Sequence, residues 1–581
     1  MTVRHADPLN ALPAEVILRI LDFATLSSLA SLTRLSKPWH TFIEKTHQEV
    51  IYSHPSKTKQ LVGTHDLAFL SESKSFAKYY DGTHCWKELC KRQTLLKKSW
   101  HSQTPTTHES VVQISNDAVW RFRPDFKRRI YLSTSQRGGV KVTCMDTGEL
   151  LWHIAPGQVR PYAHLEYHER TGTAVWDRYE NALEVWRVDD NGPRGSLMQV
   201  AVLQHDCETR GYQFSHDDVD TLCVVSTEGQ AFVYDMTTSE APQLKTRMEI
   251  EQGAIGHLDQ NKDMVMFSLG KKGYHIHSKA TGEKLGVIQP KFCKRVCHIK
   301  HPHGNRHNEA PTLDPLSRHG PTPTAFPPQY PRNDTLIHIC VEEGCLPGPL
   351  GVVDPIEQVR NSLEDDEWGA GMLSGDLMVG ISRGGRVLIC TDWRRAMTSN
   401  AAFVEPSTII ERKTEEREDA FDLGGWLSIR KGIDDAHRIL FEVKGQVYIL
   451  ALNDDLSIPT PTREDYPSFA FATSSIPELA VPVSFMALYD DCIMLTYATL
   501  GAWREAGERV HGERERARRP FPTKCIKILS LAPDLDDVSF AGAHEGVDTR
   551  DERLLERRLY AAAGDEQSDR LLADAMWVFR G

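Results

Sequence analysis

The sequence predicts an α + all-β multidomain chain, in which a three-helix module and a helical linker precede a β-propeller of about seven four-stranded blades. Six or eight blades are the alternatives. Two observations lead to this fold class. Apolar residues recur at helical spacing up to about residue 50, whereas strand-like runs replace them from about residue 110. The clearest runs are centred near residues 142, 185, 233, 276, 388, 448 and 527, and their first intervals match the length of a propeller blade.

The N-terminal helices follow from capping residues and apolar spacing. Pro13 suits the first position of a helix, where its missing N–H loses no hydrogen bond. The apolar residues of that helix are Val16, Ile17, Ile20, Leu21 and Ala24. Ser27 or Ser28 is expected to cap a second helix, and Ser36 a third. A module of about 40 residues without cysteine or metal ligands seldom folds alone, so we expect a partner to cover its remaining apolar surface.

Residues 12–44, LPAEVILRILDFATLSSLASLTRLSKPWHTFIE, resemble an F-box. The shared pattern is Leu-Pro, an acidic residue, an apolar helix, a leucine-rich helix, and Ser-x-x-Trp followed by an apolar position. The matching residues are Leu12, Pro13, Glu15, Ile17, Ile20, Leu21, Leu29, Leu32, Leu35, Ser36, Trp39 and Phe42. The resemblance implies an F-box over residues 8–53 that docks on the Skp-type adaptor, which joins such proteins to a cullin scaffold.

The same resemblance implies which side chains meet the adaptor. The expected adaptor-binding residues are Leu12, Pro13, Ile17, Ile20, Leu21, Leu29 and Leu35. Trp39 and Phe42 are expected in the core of the module. Periodicity alone does not indicate which apolar face points outward.

The linker is expected to span residues 54–105 and to contain one long helix. Five residues of CWKELCKRQTLLKKSW fit a single helical face: Trp86, Leu89, Cys90, Leu96 and Trp100. F-box proteins with propeller bodies carry a similar helix as a rigid spacer. A rigid spacer would fix the distance between the adaptor and a bound target.

The propeller is expected over residues 106–581, with insertions that lengthen the later intervals. These insertions are placed near residues 301–334, 354–369, 405–420 and 503–522. Strict Gly-His and Trp-Asp signatures are absent, so the body resembles the irregular quinoprotein-type propellers of fungal F-box proteins more than a regular WD-repeat ring. The last strand is expected at Met576–Phe579, where it would close the ring and remove exposed sheet edges.

Charge and composition restrict the partners and the compartment. The net charge is −12, with 14 Lys and Arg against 9 Asp and Glu in residues 1–100, and 54 against 71 in the rest. An acidic body argues against nucleic acid as a partner. The absence of a signal-like N-terminus and of long apolar stretches argues against secretion and a membrane partner, so a cytoplasmic or nuclear location is expected. The twelve cysteines lack the spacing of a disulfide framework.

Several groups of residues suggest chemistry that their context does not favour. One is a set of possible zinc ligands: Cys293, Cys297, His298, His301, His303 and His307. Their spacing fits no familiar zinc module. The acidic run 364–367 lacks the alternation and turn glycine of a calcium loop. The arginines of 514–519 are interleaved with glutamates, which weakens the case for a phosphate site there. The glycine-rich segment 369–375 lacks the strand–turn–helix setting of a phosphate-binding loop.

No catalytic, cofactor-binding or metal-binding residue is therefore predicted, and the chain is not expected to be an enzyme. The resemblance implies the substrate-recognition subunit of an SCF-type ubiquitin ligase, with the F-box on the adaptor and an unidentified target protein on the propeller. Holding the target near a conjugating enzyme would raise its effective concentration. Two alternatives stay open: a propeller hydrolase or quinone-dependent oxidoreductase with a helical cap, and an F-box scaffold that acts outside ubiquitination.

Overall fold

The computed structural model consists of a helical module followed by a closed ring of β-sheets. It describes residues 7–58, 66–102, 108–179, 181–215, 221–237, 241–251, 257–290, 295–300, 336–343, 366–398, 406–412, 426–431, 437–443, 445–459, 468–474, 482–502 and 520–533.

The helices lie mostly before the first strand. They are α1 (Pro8–Ala11), α2 (Ala14–Leu21), α3 (Leu26–Leu35), α4 (Lys37–Thr41), α5 (Gln48–Tyr52), α6 (Trp86–His101) and, within the propeller, α7 (Trp393–Ala396). A π-helical turn, Phe42–Thr46, follows α4, and a 3-10 turn, Leu67–Glu72, precedes α6. Ser36 caps α4 as predicted, with its Oγ accepting from the Trp39 amide at 3.3 Å. The prediction for the preceding helix was wrong, because Thr25 caps α3 instead of Ser27 or Ser28.

The strands follow one another in chain order. They are β1 (His108–Val112), β2 (Val119–Asp125), β3 (Ile130–Ser135), β4 (Val140–Cys144), β5 (Leu150–Ile154), β6 (Leu165–His168), β7 (Thr173–Arg178), β8 (Ala182–Val188), β9 (Leu197–Gln204), β10 (Thr209–Phe214), β11 (Thr221–Ser226), β12 (Gln230–Asp235), β13 (Gln243–Glu249), β14 (His257–Gln260), β15 (Met264–Ser268), β16 (Tyr274–Ser278), β17 (Lys284–Ile288), β18 (Arg295–Lys300), β19 (Ile337–His338), β20 (Cys340–Glu343), β21 (Trp368–Ser374), β22 (Leu377–Ser382), β23 (Val387–Cys390), β24 (Ser407–Arg412), β25 (Leu427–Lys431), β26 (His437–Val443), β27 (Gln446–Leu452), β28 (Phe469–Ala472), β29 (Met486–Leu488), β30 (Cys492–Ala502) and β31 (Pro520–Ser530).

The strands form seven four-stranded blades, which confirms the predicted fold class. Counted outward from the axis, blades 1 to 4 are β2–β5, β6–β9, β10–β13 and β14–β17. Blades 5 and 6 are β21–β24 and β25–β28, with β18 and β20 added outside blade 5 and β19 outside blade 6. Blade 7 is β29–β31 with β1 as its outermost strand. Every strand centre predicted from the sequence falls on the third strand of a blade.

The ring closes through β1. This strand pairs antiparallel with β31, in the register His108 to Ser530 and Val112 to Ile526. The outermost position of blade 7 is therefore filled from the N-terminal side of the propeller, whereas the closing role had been predicted for Met576–Phe579. Those four residues lie outside the described part of the chain.

Three of the predicted insertions overlap strands. β24 (Ser407–Arg412) lies inside the segment 405–420, and its Ile409 and Ile410 are fully buried. The charged residues beyond β24 hid this short strand in the sequence. β21 begins at Trp368, inside 354–369, and β31 begins at Pro520, inside 503–522. Segment 301–334 lies outside the described residues.

The two faces of the ring follow from strand direction. Because each blade has four antiparallel strands, the chain leaves the outermost strand on the same face at which it enters the next innermost strand. We call this side the entry face. The opposite side, where β2, β6 and the other innermost strands end, is the exit face.

The contact between blades 4 and 5 depends on glycine. The Tyr274 ring of β16 lies against Gly371 and Gly380 of blade 5, and its hydroxyl donates to the Ala370 carbonyl at 3.1 Å. A Cβ atom at Gly371 would lie 2.5 Å from Tyr274 Cε1, and one at Gly380 would overlap the hydroxyl. The glycine-rich segment 369–375 therefore serves packing between blades.

Gly380→Ala is expected to lower the free energy of unfolding by about 1–3 kcal/mol, since the buried tyrosine has no space into which to move. Urea unfolding of the full chain measures this change. Gly211→Ala is the control, because a Cβ at Gly211 would meet Val225 at an ordinary 3.5 Å. Equal losses of stability in both variants would contradict the packing role.

Candidate functional site

The helical module has one packed face and one open face. Its interior is formed by buried side chains from four helices and the π-helical turn: Ile17, Leu21, Leu29, Trp39, Ile43, Ile51 and Tyr52. Lys57 fixes the end of α2, since its ammonium donates to the Asp22 carbonyl at 2.8 Å and also to the Ala24 carbonyl. A cation at a helix C-terminus satisfies carbonyls that lack intrahelical partners.

The open face of α2 is apolar. Ile20 is 54% exposed and Phe23 is 82% exposed, whereas Ile17 on the opposite side of the helix is 2% exposed. We call the exposed apolar surface the α2 patch, which consists of Leu12, Pro13, Val16, Ile20 and Phe23. Glu15 and Arg19 lie beside Val16, Ile20 and Phe23 in a shallow groove. A helix with apolar side chains on both sides needs a cover for each.

The residues predicted to bind the adaptor divide into two groups. Leu12, Pro13, Ile20 and Leu35 are exposed. Ile17, Leu21 and Leu29 lie in the interior, so their side chains are not available as surface contacts. Trp39 is buried and Phe42 packs against the same core, as expected. Sequence reasoning did not select Val16 and Phe23, although Val16 lies one turn before Ile20 on α2 and the structure brings both beside Phe23 in the groove.

Helix α6 connects the module to the propeller as predicted. Its Trp86, Leu89 and Leu96 share one hydrophobic cluster with the module and with residues of blades 6 and 7. At its first turn, Lys87 pairs with Glu44 of the module at 2.5 Å. At its last turn, the Trp100 ring lies 4.5 Å from the guanidinium carbon of Arg438 on β26. The module, α6 and the propeller therefore share a continuous packed interior.

A second connection involves the half-buried Asp490 and the fully buried Asp491 in the turn between β29 and β30. Asp491 accepts from the Ser75 hydroxyl at 2.6 Å and from the amides of Phe76 and Ala77 at 2.8 and 3.0 Å. Asp490 accepts from the Lys74 amide at 2.8 Å and pairs with Arg430. This turn lies on the exit face, so the module is attached to that face.

The two aspartates differ in electrostatics. Burial raises the pKa of Asp491, and the hydrogen bonds from the linker only partly oppose that rise. Burial acts on Asp490 in the same direction, but the Arg430 charge outweighs it and lowers the pKa of Asp490. Asp491 therefore depends on the linker for its stabilisation, whereas Asp490 also has a counter-charge within the propeller.

A polar and aromatic cluster occupies the central channel at the entry face. We call it the channel-mouth cluster, which consists of Trp120, Arg121, Arg123, His164, Glu166, His257 and Trp426. Each residue lies at or near the start of an innermost strand. Arg121 of blade 1 stacks on Trp426 of blade 6, with 3.9 Å from its guanidinium carbon to the ring centre. Blades 1 and 6 are not neighbours, so this contact crosses the channel.

Burial sets the charge states in the cluster. Burial, followed by the nearby Arg121 charge, lowers the pKa of His164 to about 4, and burial lowers the pKa of His257 to about 4 as well. Burial opposes the ionisation of Glu166, but the Arg123 charge and the His164 hydrogen bond outweigh it and bring its pKa to about 2. Because His164 is neutral at pH 7, Arg123 is the main counter-charge of Glu166, at 2.5 Å.

The possible zinc ligands that the sequence suggested do not form a metal site among the described residues. Cys297 and His298 lie on β18, while Cys293, His301, His303 and His307 are outside the described residues. Across the described ranges, no set of three or more His, Cys, Asp or Glu side chains is placed to hold a metal ion. Within the same ranges, no helix has the length and apolarity needed to cross a membrane.

Sequence comparisons identify no family. No protein-family model matches the chain, and no curated protein matches it. Among solved structures, it is similar to the crystal structure of RRP9 WD40 repeats, with 10% identity over 74% of this chain and 98% of that one and a TM-score of 0.38. It is also similar to the structure of U3-55K, with 9% identity over 74% of this chain and 99% of that one and a TM-score of 0.39. The crystal structure of Saccharomyces cerevisiae Sqt1 has 9% identity over 74% of this chain and 100% of that one, with a TM-score of 0.41. Similarities at this level do not indicate a shared function.

Proposed function

We propose that the chain is the substrate-recognition subunit of an SCF-type ubiquitin ligase. In this role the helical module docks on the Skp-type adaptor, the adaptor connects it to the cullin scaffold, and the propeller holds a target protein. The observation that carries the proposal is the α2 patch, which lies in the segment whose residues resemble an F-box.

The α2 patch has the properties of a docking surface. Ile20 and Phe23 expose large apolar side chains, while Ile17 and Leu21 of the same helix are already packed inside the module. Exposed apolar side chains on one side of a short helix are typical of a surface that a partner covers. The groove beside them contains both Glu15 and Arg19, so a partner with a mixed polar rim fits.

The attachment of the module supports a receptor function. Helix α6 and the Asp490–Asp491 turn join the module to the exit face of the propeller. The entry face lies on the opposite side of the ring, away from the described contacts of the module, and would hold the target. A rigid joint would keep that target at a constant distance from the ubiquitin-carrying enzyme, which favours transfer through proximity.

Recovery of the adaptor and cullin by the tagged full chain tests this proposal. Ile20→Asp combined with Phe23→Asp is expected to weaken adaptor binding by at least about tenfold, because it places charges at the centre of an apolar contact. The matched control is Leu244→Asp, at a 52% exposed leucine on the outer edge of blade 3. This control is expected to retain both partners.

The outcomes separate the alternatives. Recovery of neither partner by the wild-type chain, under conditions in which another F-box protein recovers both, would reject the proposal. Adaptor without cullin would favour a scaffold outside ubiquitination. A quinone or metal bound to the purified chain would instead favour a propeller enzyme with a helical cap.

A further inference from the structure

Arg121 forms no ion pair with any described residue of the channel mouth, although the Glu166 and Asp177 charges are near enough to favour its ionised form. Its Nε and Nη1 atoms are buried and make no hydrogen bond to any residue in the described part of the chain. Two neighbouring arginines, in contrast, form ion pairs with carboxylates. Arg123 pairs with Glu166 at 2.5 Å, and Arg160 pairs with Asp177 at 3.1 Å. The Glu166 and Asp177 carboxylates are thus paired with two other arginines, and Nε and Nη1 of Arg121 have no acceptor among the described residues.

A buried guanidinium whose N–H groups lack acceptors destabilises the protein in the absence of a ligand. Buried donors without acceptors lose their hydration and gain nothing in return, and the loss is larger for charged groups. Burial and repulsion from Arg123 lower the pKa of Arg121 to about 9, which reflects the same unfavourable surroundings. A ligand oxyanion that accepts from Arg121 would remove this cost.

The aromatic rings around Arg121 hold it in place. Its guanidinium carbon lies 3.9 Å from the Trp426 ring centre and 5.8 Å from that of Trp120. Stacking fixes the plane of the guanidinium and leaves its N–H edges available, which suits oxyanion recognition. Trp120 also contacts the exposed Tyr162 ring, with 5.2 Å between centroids, so an aromatic surface leads from Arg121 to the entry face.

We propose that the channel-mouth cluster binds an oxyanion, a carboxylate or a phosphate, carried on a peptide that lies on the entry face, with Arg121 as its ligand. A single open cation fits one acidic side chain. Nucleic acid would require several cations along its backbone, and the part of the chain after residue 100 is strongly acidic. The proposal depends on the propeller alone and holds whether or not the module binds an adaptor.

Fluorescence anisotropy with the full chain tests the proposal. The probes are three pools of short degenerate peptides that differ only at the central position, which is phosphoserine, glutamate or glutamine. At least one acidic pool is expected to bind about tenfold more tightly than the glutamine pool, which corresponds to one charge-assisted hydrogen-bonded contact. Preference for phosphoserine alone would identify phosphate, and equal binding of both acidic pools would identify a general oxyanion site.

Two variants assign the effect to Arg121. Arg121→Met keeps an unbranched side chain between the two tryptophans and is expected to abolish the preference for acidic pools. Lys127→Met removes an exposed cation from the exit face and is expected to leave the preference intact. Equal wild-type affinity for all three pools overturns the proposal without any variant. It is also overturned if folded Arg121→Met keeps the preference, or if a degenerate RNA pool binds more tightly than every peptide pool.

Discussion

Asp491→Ala should lower the free energy of unfolding by about 3–5 kcal/mol, as expected when a buried carboxylate with several hydrogen bonds loses its side chain. Asp491 is fully buried and accepts from Ser75, Phe76 and Ala77. The Ser75 hydroxyl in turn accepts from the Tyr79 amide at 2.8 Å. The substitution would therefore leave three buried donors without an acceptor and loosen the following turn.

Urea unfolding and limited trypsin digestion measure the two consequences. Besides the loss of stability, cleavage after Lys74 and Lys78 should become faster, because the linker no longer has its anchor on the propeller. Asp454→Ala, at an exposed turn after β27, is the control and should change stability by no more than about 0.5 kcal/mol. Unchanged stability and unchanged cleavage in Asp491→Ala would show that α6 alone holds the module in place.

The blade count was readable from the sequence because one strand per blade has a strong local signal. The third strands, such as β12 with Ala231, Phe232, Val233 and Tyr234 all buried, combine a short apolar run with a turn soon after it. Other strands lack this signal. β1 reads HESVV and is mostly half-buried, so its role in closing the ring depends on its pairing with β31 rather than on its own composition.

The orientation of α2 was not readable for a different reason. Both sides of the helix are apolar, with Ile17 and Leu21 on one side and Val16 and Ile20 on the other. Helical periodicity assigns residues to sides but does not indicate which side meets α3 and α5. Only the packed module shows that Ile17, Leu21 and Leu29 form its interior and that Phe23 is open.

The channel-mouth cluster had no sequence signal. Arg121, His164, His257 and Trp426 are far apart in the chain, and each one alone resembles an ordinary residue at the start of a strand. They meet because the ring brings the starts of the innermost strands of blades 1, 2, 4 and 6 to one opening. Such a cluster is a product of ring closure, so local spacing does not reveal it.

Acid should destabilise the propeller through this cluster, starting near pH 6.5. Burial lowers the pKa of His164 and of His257 to about 4, below the usual value of 6.5. The unfolded chain therefore binds more protons than the folded chain in this range. The contribution to stability is fully present above pH 6.5 and is lost as the pH falls towards 4. Each histidine should contribute about 3 kcal/mol over the whole interval.

His257→Phe isolates one of these contributions. The charged groups that face His257 are Asp259, which favours its protonation, and Arg121, which opposes it, together with His164 and Glu166 nearby. Phenylalanine keeps an aromatic ring against Trp426, 6.3 Å away between centroids, but cannot take up a proton. The variant should therefore lose about 3 kcal/mol less than wild type between pH 6.5 and pH 4.

Urea unfolding at a series of pH values tests this expectation, with His153→Phe at an exposed position as the control. The control should follow the wild-type pH dependence. Below pH 4.5 a further loss should appear in all three proteins, because Glu166 has a folded-state pKa of about 2 and must take up a proton as the chain unfolds. If His257→Phe and wild type lose stability in parallel from pH 6.5 to 4, then His257 is accessible to protons in the folded protein. In that case the channel mouth admits water freely, and Arg121 would be hydrated, which would also weaken the case for an oxyanion there.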